Sequence, residues 1–168
     1  MKKEIVKNIF SDQKDTNIAL TSENNSPLLF KDLKDLANKI SRQLSGNQIS
    51  NKDRAAIILP NGPYMASSFL AISSYMSAAP LNPNYKSDEY EFYLNDLKPK
   101  IVLVEPNSTN SAVAVAKKLK IPICEIKIKK DQPTGFFDLF NKENNFNEPN
   151  ENDEALVLHT SGTTSRPK

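Results

Sequence analysis

Hydrophobic and polar positions along this chain switch repeatedly between a helical and a strand rhythm. Residues 28–45 open on Leu28, Leu29 and Phe30 and then place Leu33, Leu36, Ala37, Ile40 and Leu44 at helical spacing, with Lys34, Asp35, Lys39 and Arg42 between them. That pattern predicts an amphipathic helix with one buried face, and Gly46 sits where a terminating C′ glycine belongs. The unbroken apolar run 55–59, closed by Pro60-Asn61-Gly62-Pro63, predicts a buried strand. Residues 63–78 are apolar nearly all round and predict a helix packed on two sides; 79–81 is a short extended segment ended by Asn82-Pro83-Asn84.

Ser87 then reads as an N-cap, with Asp88 and Glu89 in a first turn that complements the helix dipole. Tyr90, Tyr93, Leu94 and Leu97 form that helix's buried stripe, and Pro99 helps to stop it. Strands over 101–104 and 123–128 flank a helix over 110–120. Residues 129–153 are polar and Asn-rich and predict a loop with one short helical turn around 136–140, after which 155–158 form a last strand. Strand and helix in this alternation mean an α/β fold, a parallel sheet with flanking helices.

Composition narrows the class. The chain has 168 residues, enough for one core or one part of something larger, and a net charge of +2 with both signs interspersed, so no basic stripe points to nucleic acid. Its one cysteine, Cys124, lies among alternating apolar residues and is expected to be a buried, inert thiol. That fits a reducing compartment, the cytoplasm. The N-terminus carries lysines with no apolar run behind them, unlike a secretory signal, and the most apolar stretch, 69–81, is too short and too interrupted to span a bilayer.

The densest chemistry lies at the end of the chain. His159 is followed by Thr160, Ser161, Gly162, Thr163, Thr164, Ser165, Arg166, Pro167 and Lys168. Such a loop offers backbone N–H groups, several hydroxyls and one cation within a few residues, which is what a polyphosphate needs. It is not a Walker A loop, because Pro167 stands where that motif requires glycine and has no N–H to give.

The loop instead resembles the phosphate loop of the adenylate-forming (AMP-binding) acyl-CoA synthetase family, which includes acyl- and aryl-CoA synthetases, luciferases and nonribosomal adenylation domains. Residues 160–168 match its Thr-Ser-Gly-Thr-Thr-Gly-x-Pro-Lys signature at every fixed position except Ser165. Residues 53–62, 79–85 and 91–97 resemble further segments of the same family, so the likeness covers roughly 17–168. His159 together with Ser165-Arg166-Pro167-Lys168 resembles the oxalate–CoA ligase-like branch, where serine at this point is a mark of the branch.

The resemblance implies an incomplete N-terminal part of the large domain of the adenylate-forming fold. Residues 1–16 would form a helical or irregular lead, and 17–168 a partial AMP-binding domain that stops within the phosphate loop. It implies that Thr160, Ser161, Gly162, Thr163 and Thr164 contact the β- and γ-phosphates of ATP and that Lys168 supplies charge. A small carboxylic acid and CoA would be the other substrates. The catalytic lysine, the Mg2+ ligand, the ribose anchor and any peroxisomal address are expected downstream, so no catalytic residue is assigned here and this piece alone is expected to be inactive and marginally stable. His159 reads either as a satisfied structural group or as lining the carboxylate pocket, and nothing in the pattern suggests a metal site. An adenylation domain serving another acceptor, and a non-catalytic nucleotide-binding module or remnant, are the rival readings.

Overall fold

The structure, a computed structural model, describes residues 5–23 and 25–159. A short helix α1 (Asn8–Ser11) leads into two antiparallel strands, β1 (Ile18–Leu20) and β2 (Leu28–Leu29), with Ile18 opposite Leu29 and Leu20 opposite Leu28. Then come α2 (Phe30–Gly46), β3 (Arg54–Ile58), α3 (Pro63–Ser73), β4 (Ser77–Pro80), α4 (Ser87–Leu97), β5 (Ile101–Val104), α5 (Ser111–Lys118) and β6 (Ile123–Glu125). The last four strands make one parallel sheet in the order β4-β3-β5-β6, with Ala55 opposite both Ala78 and Ile101.

Both faces of this sheet are covered, which is why its strands read as unbroken apolar runs. Ala55, Ile57, Ile101 and Leu103 turn to one side and pack with Leu36, Ile40 and Leu44 of α2 and Ala71 and Ile72 of α3. Ala56, Ile58, Val102 and Val104 turn to the other and meet Tyr90 and Leu94 of α4 and Ala112 and Ala116 of α5. Among the described residues no helix is long and apolar enough to cross a membrane.

Several expected boundaries move, each for an identifiable physical reason. Gly46 is the last residue of α2 rather than its C′ residue; a Cβ there would come within 2.6 Å of the Lys142 carbonyl oxygen, so close approach of a second backbone is what requires glycine. The helix from Pro63 ends at Ser73, not at 78, and the Ser73 and Ser74 hydroxyls donate back to the Phe69 and Leu70 carbonyls, each at 2.6 Å. The freed residues 77–80 are strand β4, where only a short extended segment over 79–81 is expected. At the start of α4 the capping acceptor is Glu89, whose carboxylate takes the Lys86 N–H at 2.8 Å, and Ser87 is already helical. Lys98 closes that helix in the left-handed region at φ 48°, just before Pro99. The antiparallel β1–β2 pair has no counterpart in the sequence-based reading.

Residues 136–140 are not a helical turn. Asp138 forms an antiparallel bridge with Lys127, and Phe137 and Leu139 alternate inward to full burial. Gln43, 2% exposed on α2, organises this segment: its Nε2 donates to Asp138 at 3.1 Å and its Oε1 accepts from the N–H groups of Leu139 at 2.8 Å and Phe140 at 3.2 Å. Beyond it the chain is strapped along α2 by the Arg42–Glu143 ion pair at 2.8 Å and by the Ser45 hydroxyl on the Asn145 carbonyl at 2.7 Å.

Gln43→Ala strands the N–H groups of Leu139 and Phe140 and removes one of the donors to Asp138, and is expected to lower stability by about 3 kcal/mol, read as a fall in the urea unfolding midpoint. Burial pushes the Asp138 carboxyl up, but hydrogen bonds from Lys39, Gln43 and Lys129 outweigh it and hold the group below its ordinary 3.8. A depressed carboxylate contributes stability above its unfolded value that is lost as pH falls through the folded value. Asp138→Asn is therefore expected to flatten the acid side of the stability–pH curve below about 3.8 while lowering stability at neutral pH. Parallel curves for the two proteins in chemical denaturation would contradict this.

Candidate functional site

The segment that carries the phosphate-loop signature attaches to the open edge of β4. The Ala78 N–H donates to the Ala155 carbonyl at 2.9 Å and the Val157 N–H to the Ala78 carbonyl at 3.0 Å, a single parallel bridge in place of the full strand expected over 155–158. Two ion pairs hold the approach to this bridge. Arg54, at the start of β3, grips Glu154 through two hydrogen bonds of 2.7 and 3.0 Å, and Lys52 pairs with Asp153. The Arg54 guanidinium holds the Glu154 carboxyl below its ordinary value against a smaller opposing effect of burial, and Lys52 does the same for Asp153. The cleft beside these residues, about 400 Å³, is lined by both ion pairs.

Past the bridge, side chains alternate. Val157 packs on the core beside α4, whereas Leu156 and Leu158, 40% and 61% exposed, face the other way. His159 returns to the α4 side. Its Nε2 lies 2.9 Å from Asp96 Oδ2, its side chain is 7% exposed, and its ring meets Tyr93 edge-on at 4.7 Å between centroids. Tyr93 in turn stacks on Tyr85 at 4.8 Å. The Tyr85 hydroxyl and then burial push the Tyr93 phenol up to about 12, so it remains a neutral surface for the imidazole. Tyr90 completes the group, donating from its hydroxyl to the Asn82 carbonyl at 2.9 Å.

Of the residues singled out from sequence, His159 is therefore placed on the flank of α4. Thr160, Ser161, Gly162, Thr163, Thr164 and Lys168 lie outside the described residues. Sequence reasoning missed Asp96, for a clear reason: an acid on a charged helix looks like a solvated side chain, and its place three residues after Tyr93 is the one hint that it borders the buried stripe. Among the described residues no group of three His, Cys, Asp or Glu side chains gathers that could hold a metal ion. Cys124 is buried, and burial pushes its thiol up to about 12, as an inert core sulfur requires.

Comparison with known proteins adds to this geometry. Residues 10–168 match the family model described as AMP-binding enzyme. The chain is 35% identical over 134 residues to an oxalate–CoA ligase of Arabidopsis thaliana, covering 76% of this chain and 26% of that protein. It is 25% identical over 140 residues to a dimodular nonribosomal peptide synthase of Bacillus subtilis, covering 83% of this chain and 6% of that one. ATP-bound MatB from Rhodopseudomonas palustris superposes with a TM-score of 0.75 at 21% identity, over 97% of this chain and 33% of that one. The chain thus spans about a quarter of the length of the curated ligase it matches.

Arg54→Ala removes the bidentate anchor ahead of the bridge. Both partners are substantially exposed, so screening keeps the effect on global stability below about 1 kcal/mol. Local opening should nonetheless become easier: the Val157 amide is expected to exchange with solvent up to about tenfold faster, while the amides of β5 keep their rates. Equal exchange at Val157 in both proteins would show that the ion pair does not hold this segment.

Proposed function

The chain belongs to the AMP-binding enzyme family, and from that membership we propose that it is the N-terminal portion of an ATP-dependent, AMP-forming acid–CoA ligase. The substrate would be a small carboxylic acid, with oxalate the first to test. One observation carries the reading: residues 160–168 match the family's phosphate-loop signature at every fixed position except Ser165, inside a family match that spans 10–168. The likeness to a plant oxalate–CoA ligase supports CoA as acceptor and a short acid as substrate.

The chemistry proceeds in two displacements. A carboxylate oxygen attacks the α-phosphorus of ATP, the bond to the β-phosphate breaks, and pyrophosphate leaves. The CoA thiolate then attacks the acyl carbon and AMP departs. Negative charge builds on the leaving pyrophosphate in the first step, so donors fixed in advance around it lower the barrier. Thr160, Ser161, Thr163 and Thr164 supply hydroxyls and backbone N–H groups, Gly162 lets the backbone come close, and Lys168 supplies a cation. Mg2+, when bound, neutralises phosphate charge. Membership of the family implies its ligand, together with the catalytic lysine, on a further part of the protein. The setting is cytoplasmic and the partners are small molecules, not nucleic acid.

A second reading, an adenylation domain that loads another acceptor, draws on the match to the nonribosomal peptide synthase. Both readings share the first displacement and differ in the second. A gene product carrying the relatives' full length should turn carboxylate, ATP and CoA into thioester, AMP and pyrophosphate. Pyrophosphate release without thioester would favour the second reading. The 168-residue chain alone is expected to release no pyrophosphate above background. Lys168→Ala is expected to weaken its ATP binding about tenfold in a calorimetric or spectroscopic titration, and unchanged affinity would overturn the assignment of the loop.

A further inference from the structure

We propose that Asp96 and His159 form a latch that sets where the phosphate loop begins, with Asp96 a positioning residue that acts through the imidazole of the residue before Thr160. The inference rests on the phosphate-loop reading above. Among the described residues, the last backbone hydrogen bond that ties the C-terminal segment to the sheet is made by Val157. Two residues later the His159 ring restores the hold. It shares a hydrogen bond of 2.9 Å with Asp96, lies against the Tyr93 ring, and is 7% exposed on its side chain, whereas Asp96 itself is 65% exposed. Tyr93 is braced by Tyr85, which follows the Asn82-Pro83-Asn84 turn.

A carboxylate acceptor at Nε2 selects the ring form that carries a proton there and fixes the ring plane. Nδ1 is buried and has no partner among the described residues, so Asp96 is the polar contact that orients the ring. One peptide bond separates His159 from Thr160, and consecutive Cα atoms are about 3.8 Å apart. A hold on His159 therefore acts one residue from the signature. Misplacement of a site by about 1 Å can lower a rate about a hundredfold, so a support of this kind matters even when it contributes little to overall stability.

The test is an ATP titration of the 168-residue chain followed by its amide NMR spectrum, which also reports whether each variant is folded. Asp96→Ala and His159→Ala are each expected to weaken ATP binding about fivefold, and the double variant no further, because the two residues act as one unit. Asp96→Glu, which keeps a carboxylate, should recover most of the affinity. Lys118→Ala on α5, which breaks the exposed ion pair to Glu91 of α4, the helix that carries Asp96, should change nothing. If Lys168→Ala weakens binding while folded Asp96→Ala and the double variant bind like the parent, the latch is overturned. If neither the parent nor Lys168→Ala responds to ATP, the phosphate-loop reading fails. The latch is then judged by the long-range nitrogen spectrum of the chain's single histidine. A hydrogen-bonded Nε2–H signal that is lost in Asp96→Ala and kept in Asp96→Glu supports it, and identical spectra for parent and Asp96→Ala overturn it.

Discussion

Strand β3 runs through the middle of the sheet with Ala55 and Ile57 turned to α2 and α3 and with Ala56 and Ile58 turned to α4 and α5, so neither face can be left to water. Parallel neighbours cannot be joined by tight turns, and each connection has to cross over one face. From β3 the chain steps outward through α3 to β4, then returns through α4 to β5 on the other side. The helices change face at that reversal. Two apolar layers of small and branched side chains result, with the carboxyl ends of all four strands on one edge, where ligands of such sheets bind.

The return of the polar segment 129–153 depends on that frame. It would read as solvent-exposed chain, yet Phe137 and Leu139 enter the core and Gln43 satisfies the main chain around them. Charges on α2 and at the foot of β3 then hold it in place, through Arg42 with Glu143, Lys52 with Asp153 and Arg54 with Glu154. Each pair is weak alone. Together they bring the segment back to the edge of β4, where only two backbone hydrogen bonds remain to be made.

That edge joins fold to chemistry. A loop that stabilises a leaving pyrophosphate has to present its donors before the charge appears, which means that its two ends must be fixed by something that does not itself react. On the reading proposed above, the contacts that would fix the first end are the bridge at Ala78, the packing of Val157 beside α4, and the His159 ring between Asp96 and Tyr93.

The periodicity of residues 33–44 and 90–97, the apolar runs 55–59 and 101–104, and the nine residues of the phosphate-loop signature determined the fold class and the family, because burial periods and a loop's donor set are local properties that survive without coordinates. Boundaries were less legible. Ser73 and Ser74 end α3 by bonding back to their own helix, and Gly46 answers to a backbone almost a hundred residues away, which no short window contains. Asp96 and Gln43 were invisible for the same reason. An acid and an amide on helix surfaces carry no signal until a distant segment arrives to accept or donate a hydrogen bond, and that meeting is decided only when the sheet has brought residues 43 and 138, or 96 and 159, within 3.1 Å of each other.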